Sequence, residues 1–478
     1  MLALGLRVTS SLTSIDGLVR GPYSEGGLFP RLALDFDDNK YATDVGSVTF
    51  ADAFMAASPK LTYSTTSNST MVNSSGNIVW SPHNLVPNSE DFRASGPSSP
   101  WVHQNSATIT ENAITAPDGG SNGTQLEFGA ANNSQIRNDH NLGSTIQGAF
   151  TIRVWVKCAT GTTEKVRLKS FSSGDGNQNS ADITVTDQWV QVSHSFAKSS
   201  GSAMSTYILN ATDAVARTIF IWGAHVYRSD LGGMAQVPGA ATGFETYVPT
   251  NGSAEYLPRV GHHVYNGSAW VNEGLLIESE ARSNLFPVST ITAVGGGTDW
   301  DGNNSGTGSS VSVAASVTAP DGTTGTVGNY VADAGAGVAY FSKDLPVTSG
   351  VSYTQSIFAK PNGTNFLQIA PSTGFASAHY NFDLVNLQTS SSDASIETVG
   401  NGWVRCIVTV PCTGSASNGR MVFGWVNSFT AARLDADAGG APNGTDGVYI
   451  YGAQLEVGST PSSYIPTSGA TVTRAAQT

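Results

Sequence analysis

The chain states one phrase twice. Ile219-Phe220-Ile221-Trp222-Gly223-Ala224 returns as Val448-Tyr449-Ile450-Tyr451-Gly452-Ala453, and further landmarks recur around it in the same order. Asn84-Leu85-Val86-Pro87 matches Asn284-Leu285-Phe286-Pro287, and Ala116-Pro117-Asp118-Gly119 matches Ala319-Pro320-Asp321-Gly322. Phe150 to Lys157 matches Tyr353 to Lys360, Trp189-Val190 matches Trp403-Val404, and Tyr247-Val248-Pro249-Thr250 matches Tyr464-Ile465-Pro466-Thr467. Solenoid units run about 20–50 residues and this offset is about 200, so what is duplicated is a whole domain. The offset widens between Lys157 and Trp222 and narrows again by Tyr247, which places the insertions between strands, where loops tolerate them. The repeat defines module A over 84–250 and module B over 284–478. The connector 251–283 is partly apolar and strand-like, as in Gly274-Leu275-Leu276-Ile277-Glu278. Residues 1–83 share nothing with the repeat and are the natural candidate for an anchoring segment.

Only 12% of the 478 residues are charged, against about 25% in an ordinary soluble domain, and 53 are Gly. A hydrophobic content of 39% with 9% aromatics still supplies real cores, which argues against disorder. Strands of five to ten residues alternate with Gly, Asn, Asp and Ser clusters: Phe150–Lys157, Glu164–Phe171, Trp189–Phe196, Thr218–Tyr227, Ser352–Lys360, Phe366–Ala370, Trp403–Val410, Arg420–Trp425 and Gly447–Leu455. The one helical stretch expected is Phe50 to Ala57, stopped by Ser58-Pro59. The expected fold is all-β: two tandem antiparallel β-sandwich (jelly-roll) domains after a small N-terminal anchoring segment.

A net charge of −13 provides no basic stripe for nucleic acid and disfavours an anionic membrane surface. No segment approaches the ~20 apolar residues of a membrane span, and Met1 to Leu6 lacks the pattern of a signal peptide, so synthesis in a cytoplasm without membrane insertion is expected. Cys158, Cys406 and Cys412 are too few for a disulfide framework. One bridge between Cys406 and Cys412 across a hairpin is open, beside the blander reading of buried thiols.

These landmarks resemble a family of bacteriophage virion proteins, the tail-fibre, head-fibre or minor structural proteins. The most specific match is Gly274-Leu-Leu-Ile-Glu-Ser-Glu-Ala-Arg-Ser-Asn-Leu285, similar to a phrase that introduces such modules. The closing motifs Tyr451-Gly-Ala-Gln-Leu-Glu456 and Tyr464-Ile-Pro-Thr467 also fit, as do Leu34-Asp-Phe36, Ser67 to Gly76 and Asn84 to Phe92. Module A departs from the pattern with His225-Val226-Tyr227 after its Gly-Ala. The resemblance implies concanavalin-like or carbohydrate-binding-module-like sandwiches, a location in the virion, and a homotrimer. It also implies partners among other virion proteins, reached through the N-terminal segment, and host-surface polysaccharide. A purely structural head-decoration or fibre-base protein is the alternative.

No catalytic constellation stands out. Acidic residues cluster at Asp35, Asp37 and Asp38 and at Asp435 and Asp437 in turn-like surroundings, without the paired placement a glycosidase needs. His262 and His263 are adjacent, so on a strand they point to opposite faces and do not chelate one metal. No metal or cofactor is called for, and structural calcium has no support in the sequence. Sugar binding is the more informative option. Trp155 shares a strand face with Arg153 and Lys157, and Phe358 stands at the matching place in module B. Such aromatics can stack a sugar ring or fill a second core. Trp189 and Trp403 read as core, whereas Trp101 and Trp300, in Gly/Asn/Ser-rich surroundings, read as loop-borne ligand residues. The candidate ligand-binding residues are therefore Trp101, Trp300, Trp155 and Phe358.

Overall fold

A computed structural model of the chain describes residues 32–36, 40–43, 46–55, 61–93, 101–142, 146–295, 299–302 and 308–478. They form two compact units. One joins Thr65–Val79 to Arg259–Thr478; the other contains Trp80–Pro258, and the described residues before Thr65 group with it. About half of the expected anchor, including residues 1–31, lies outside the described residues, as do Asp37, Asp38 and the Ala56-Ala57 end of the expected helix. The helix itself is a single π-type turn over Ala51–Met55, beside a small sheet of Leu32–Asp35, Lys40–Thr43 and Gly46–Val48.

All nine strands expected from the sequence are present, and each module is a sandwich of two antiparallel sheets. In module A, one sheet runs in the order Val190–Lys198, Gly148–Lys157, Arg217–Arg228, Gly123–Phe128, Thr108–Ile114. Module B repeats that order with Trp403–Pro411, Ser352–Asn362, Gly447–Val457, Gly328–Ala332 and Ser309–Val313, and adds one edge strand, Ala394–Val399. The facing sheets also match. Trp101–Gln104, Gln135–Asn141, Ala203–Asn210 and Glu164–Ser172 correspond to Asp301–Gly302, Tyr340–Val347, Ala416–Trp425 and Phe366–Ile369. Alternation builds the cores: Phe150, Ile152, Val154 and Val156 point inward from one strand, to meet Leu168 and Ile208 from the sheet opposite.

The repeated phrases turn out to be repeated hydrogen bonds. In module A the buried Asn84 donates to Ala224 O (3.0 Å) and Val248 O (2.8 Å) and accepts from Val86 N (3.0 Å) and Val226 N (3.1 Å). In module B, Asn284 donates to Ala453 O (3.0 Å) and Ile465 O (2.9 Å) and accepts from Phe286 N (3.2 Å) and Leu455 N (3.1 Å). One amide thus ties the start of the module, its closing strand and its C-terminal exit. Ser89 is hydrogen-bonded to Tyr247 as Ser289 is to Tyr464, which fixes the Tyr of the exit motif in both copies.

The Gly-Ala pair is a β-bulge. Register shifts between Arg153 and Trp155, and between Ser356 and Phe358, leave two closing-strand residues facing one. The bulge glycines are left-handed, Gly223 at φ 63° and Gly452 at φ 59°. A Cβ on Gly223 would lie 2.9 Å from the Trp155 ring, and one on Gly452 would lie 2.9 Å from Phe358 and 3.0 Å from Tyr464. Backbone conformation and a close aromatic both demand glycine there.

One position breaks the correspondence inside the core. Ile152 of module A is matched by Gln355, only 1% exposed, and neither polar atom of its side-chain amide has a hydrogen-bond partner. The three cysteines are free and buried, and burial pushes the Cys406 thiol well above its ordinary value.

Two stability outcomes follow. Asn84→Ala and Asn284→Ala each strand buried backbone groups, and each is expected to destabilise its own module by about 3 kcal/mol, read by denaturant unfolding with segment-resolved hydrogen exchange. Gln355→Leu removes an unpaired buried amide and is expected to stabilise module B by about 1–2 kcal/mol on the same readout.

Candidate functional site

Trp101 lies on strand Trp101–Gln104 and Trp300 directly precedes strand Asp301–Gly302, and neither side chain faces outward. Each is 2% exposed and lies in the core of its module. Trp101 donates to Asn88 O (3.1 Å) and packs 4.9 Å from Phe92; Trp300 donates to Val288 O (3.0 Å) and packs 4.7 Å from Phe286. Polar turn residues do flank them, but the indoles turn inward to plug the sandwich beside the Asn-Leu start. Their loop-borne reading is thereby corrected, since a covered ring has no face for a sugar. Trp155 is also covered, in a nest with Trp222, Phe244 and Tyr247, and the chain's own exit segment occupies that sheet face. Trp403 is fully buried, while Trp189 is half-buried against the same nest. The polar residues after each Gly-Ala are internal as well: His225 donates to His83 O (2.8 Å), and Gln454 donates to Glu456 (2.9 Å).

Phe358 stands differently. It is 3% exposed yet forms part of the floor of a cavity of about 770 Å³ in the unit that holds module B. That volume is within the range of small-ligand sites. Three segments foreign to the repeat wall the cavity. The first is Thr70–Val72. The second is the connector hairpin, His263–Tyr265 paired with Trp270–Asn272. The third is the additional edge strand Ala394–Val399. Trp270 and Tyr265 are partly exposed at its mouth, ring centroids 5.4 Å apart. Gly76 locks Trp270 in place: at φ 79°, its Cβ would fall 2.3 Å from the indole, while its carbonyl accepts from Gly400 N (2.9 Å).

One buried carboxylate in the lining is already matched. Glu278 pairs with Arg259 (2.8 Å) and Arg474 (3.2 Å) and accepts from Ser463 N (2.8 Å) and Oγ (2.7 Å). Burial works against its negative charge, but Arg259, Arg474 and Ser463 outweigh it and hold the carboxyl at about 2. Arg405 donates to Ser356 Oγ (2.9 Å) and Ser462 O (2.8 Å) and lies 5.5 Å from the Phe358 ring. His262 accepts from Val72 N through Nδ1 (3.2 Å), and burial, with Arg259 and His263, lowers it to about 4. It is therefore neutral at ordinary pH, with its proton on Nε2. The remaining carboxylate, Glu397, is exposed on the edge strand. A carboxylate tied to two arginines is not a general acid. Among the described residues, no group of three or more His, Cys, Asp or Glu is placed to hold a metal ion, and no helix is long and apolar enough to cross a membrane.

No protein-family model and no curated protein matches the chain. Solved structures do. The N-terminal CBM22-1–CBM22-2 tandem domain of Paenibacillus barcinonensis Xyn10C matches at 13% identity and a TM-score of 0.28, covering 79% of this chain and 98% of that one. The CBM22-1 xylan-binding domain of the same protein matches at 17% identity and a TM-score of 0.26, covering 30% of this chain and 94% of its own. TmCBM61 in complex with β-1,4-galactotriose matches at 14% identity and a TM-score of 0.22, over 30% of this chain and 99% of that one. Likeness at this level carries no argument about what this chain binds.

The sequence missed the cleft because its walls come from segments nearly four hundred residues apart, Thr70 to Tyr464. The one available signal was the apolar content of the connector.

Acid should separate the units. His83, His140 and His225 are fully buried, and burial lowers them to about 3, 4 and 4 from an ordinary 6.5. The unfolded chain takes up their protons first, so this unit loses stability as pH falls from 6.5 toward 4. Arg259–Thr478 carries one such histidine, His262, lowered to about 4, and its Glu278 contribution is present above 4.5 and lost only as pH falls toward 2. Segment-resolved hydrogen exchange during acidification is expected to show Trp80–Pro258 opening before Arg259–Thr478.

Proposed function

We propose that this chain is a non-catalytic glycan-binding protein that uses the cleft beside module B, and that it serves as a fibre- or spike-type appendage of a bacteriophage virion. The observation that carries the binding half is the cleft itself. Two partly exposed aromatics, Trp270 and Tyr265, line it together with Phe358 and aliphatic residues, and its buried carboxylate, Glu278, is paired within the protein. Pyranose rings have an apolar face and a hydroxylated edge, and an aromatic wall with scattered polar groups is complementary to them.

The virion half is supported by the connector phrase from Gly274 to Leu285, which supplies part of the cleft as well as resembling phage structural proteins. Under this reading residues before the modules anchor the chain to other virion proteins, and a homotrimer presents three clefts. Weak sites on one particle gain avidity through effective concentration. The duplicated sandwiches are then supports, of which one carries the site.

The test is binding of the full chain to host envelope glycans, by array and then calorimetry. Binding is expected, with Trp270→Ala lowering affinity at least tenfold and Trp101→Phe leaving it unchanged. Absence of binding to every envelope fraction would sink the adhesin reading and favour a purely structural decoration or fibre-base protein.

A further inference from the structure

Resting on the glycan reading of this cleft, we infer that the sugar it takes is an N-acetylhexosamine, seated with its acetamido group on the cleft floor. The ground is an inventory of what the floor has left to offer. Polar side chains are present, but most of their hydrogen-bonding capacity is spent inside the protein. Thr70 Oγ1 donates to Tyr464 O (2.6 Å), and the Tyr464 hydroxyl is bonded to Ser289 (2.8 Å). Glu278 accepts from Arg259, Arg474 and twice from Ser463. Arg405 is held by Ser356 and Ser462.

The polar atoms of Tyr265, Trp270, Thr398 and Glu397 are left for a sugar's hydroxyls, and two further features set the cleft apart. One is a donor: with Nδ1 of His262 accepting from Val72 N, the neutral ring carries its proton on Nε2, which has no acceptor among the described residues. The other is aliphatic surface from Met71, Val72, Ile78, Val264 and Leu276, which line the same cavity. A ligand group that fits both must present a carbonyl-type acceptor next to a methyl. An acetamido group does so, its oxygen accepting from Nε2–H of His262 and its methyl covering the aliphatic residues. The pyranose ring then lies against Trp270 and Tyr265. A 6-deoxyhexose supplies the methyl without the acceptor.

The test uses the full chain and saturation-transfer NMR, with N-acetylglucosamine, N-acetylgalactosamine and N-acetylmannosamine as probes. Glucose, galactose, mannose, rhamnose and fucose are the comparators. At least one N-acetylhexosamine is expected to bind at least tenfold more tightly than its parent hexose, with the acetamido methyl the most strongly saturated proton. His262→Ala should weaken that binding and abolish the preference over the parent hexose. Trp270→Ala should weaken both alike, which keeps the inference testable if the His262 variant folds poorly. Equal affinity for the parent hexose, or preference for a 6-deoxyhexose, overturns the inference and leaves the glycan reading standing. If none of these sugars and no envelope glycan binds, the glycan reading falls with it.

Discussion

Everything regular in this protein hangs on one buried amide used twice. Asn84 and Asn284 each make four hydrogen bonds, two given and two received, to backbone groups from three separate stretches of chain. A sandwich core is non-directional and would tolerate some sliding of its closing strand. The amide does not, because each shift strands a buried donor or acceptor. With the closing strand pinned, the bulge at Gly223 or Gly452 has a fixed place, and the aromatic above it has a fixed seat.

That frame explains why the repeat survives at landmarks and not between them. Asn, Gly and the exit Tyr are each answerable to a contact found in both modules, and the bulge-facing position keeps an aromatic ring, Trp155 or Phe358. The loops answer to nothing shared, and module B has used this freedom. It has an edge strand, Ala394–Val399, that the corresponding sheet of module A does not, and Thr70–Val72 and the connector hairpin pack with it in one unit. The shared architecture is scaffold, and the cleft is made from what is not shared.

Strand positions were legible because period-2 alternation and turn residues are local signals, and all nine expected strands formed. The duplication was legible too, though its phrases gave no hint that they encode an amide clamp and a bulge. The aromatics were harder. Trp101 and Trp300 sit among Gly, Asn and Ser, which is how loops look, yet each indole turns back into the core to donate to a backbone carbonyl. Composition around a residue does not report where its side chain points. Phe358 lines the cleft while its counterpart Trp155 is covered, and no local signal separates the two. Trp270 and Tyr265 were passed over because the connector carries no repeat landmark.

The central claim is that a duplicated frame carries one unduplicated site. Amide hydrogen exchange of the full chain, measured with and without a bound envelope glycan, tests it most directly. Protection is expected at Thr70–Val72, His262–Leu276, Ala394–Val399 and Ser462–Tyr464, with no matching protection in module A. Equal protection at equivalent strands of both modules would contradict it, as would protection centred on the sheets around Trp101 or Trp155.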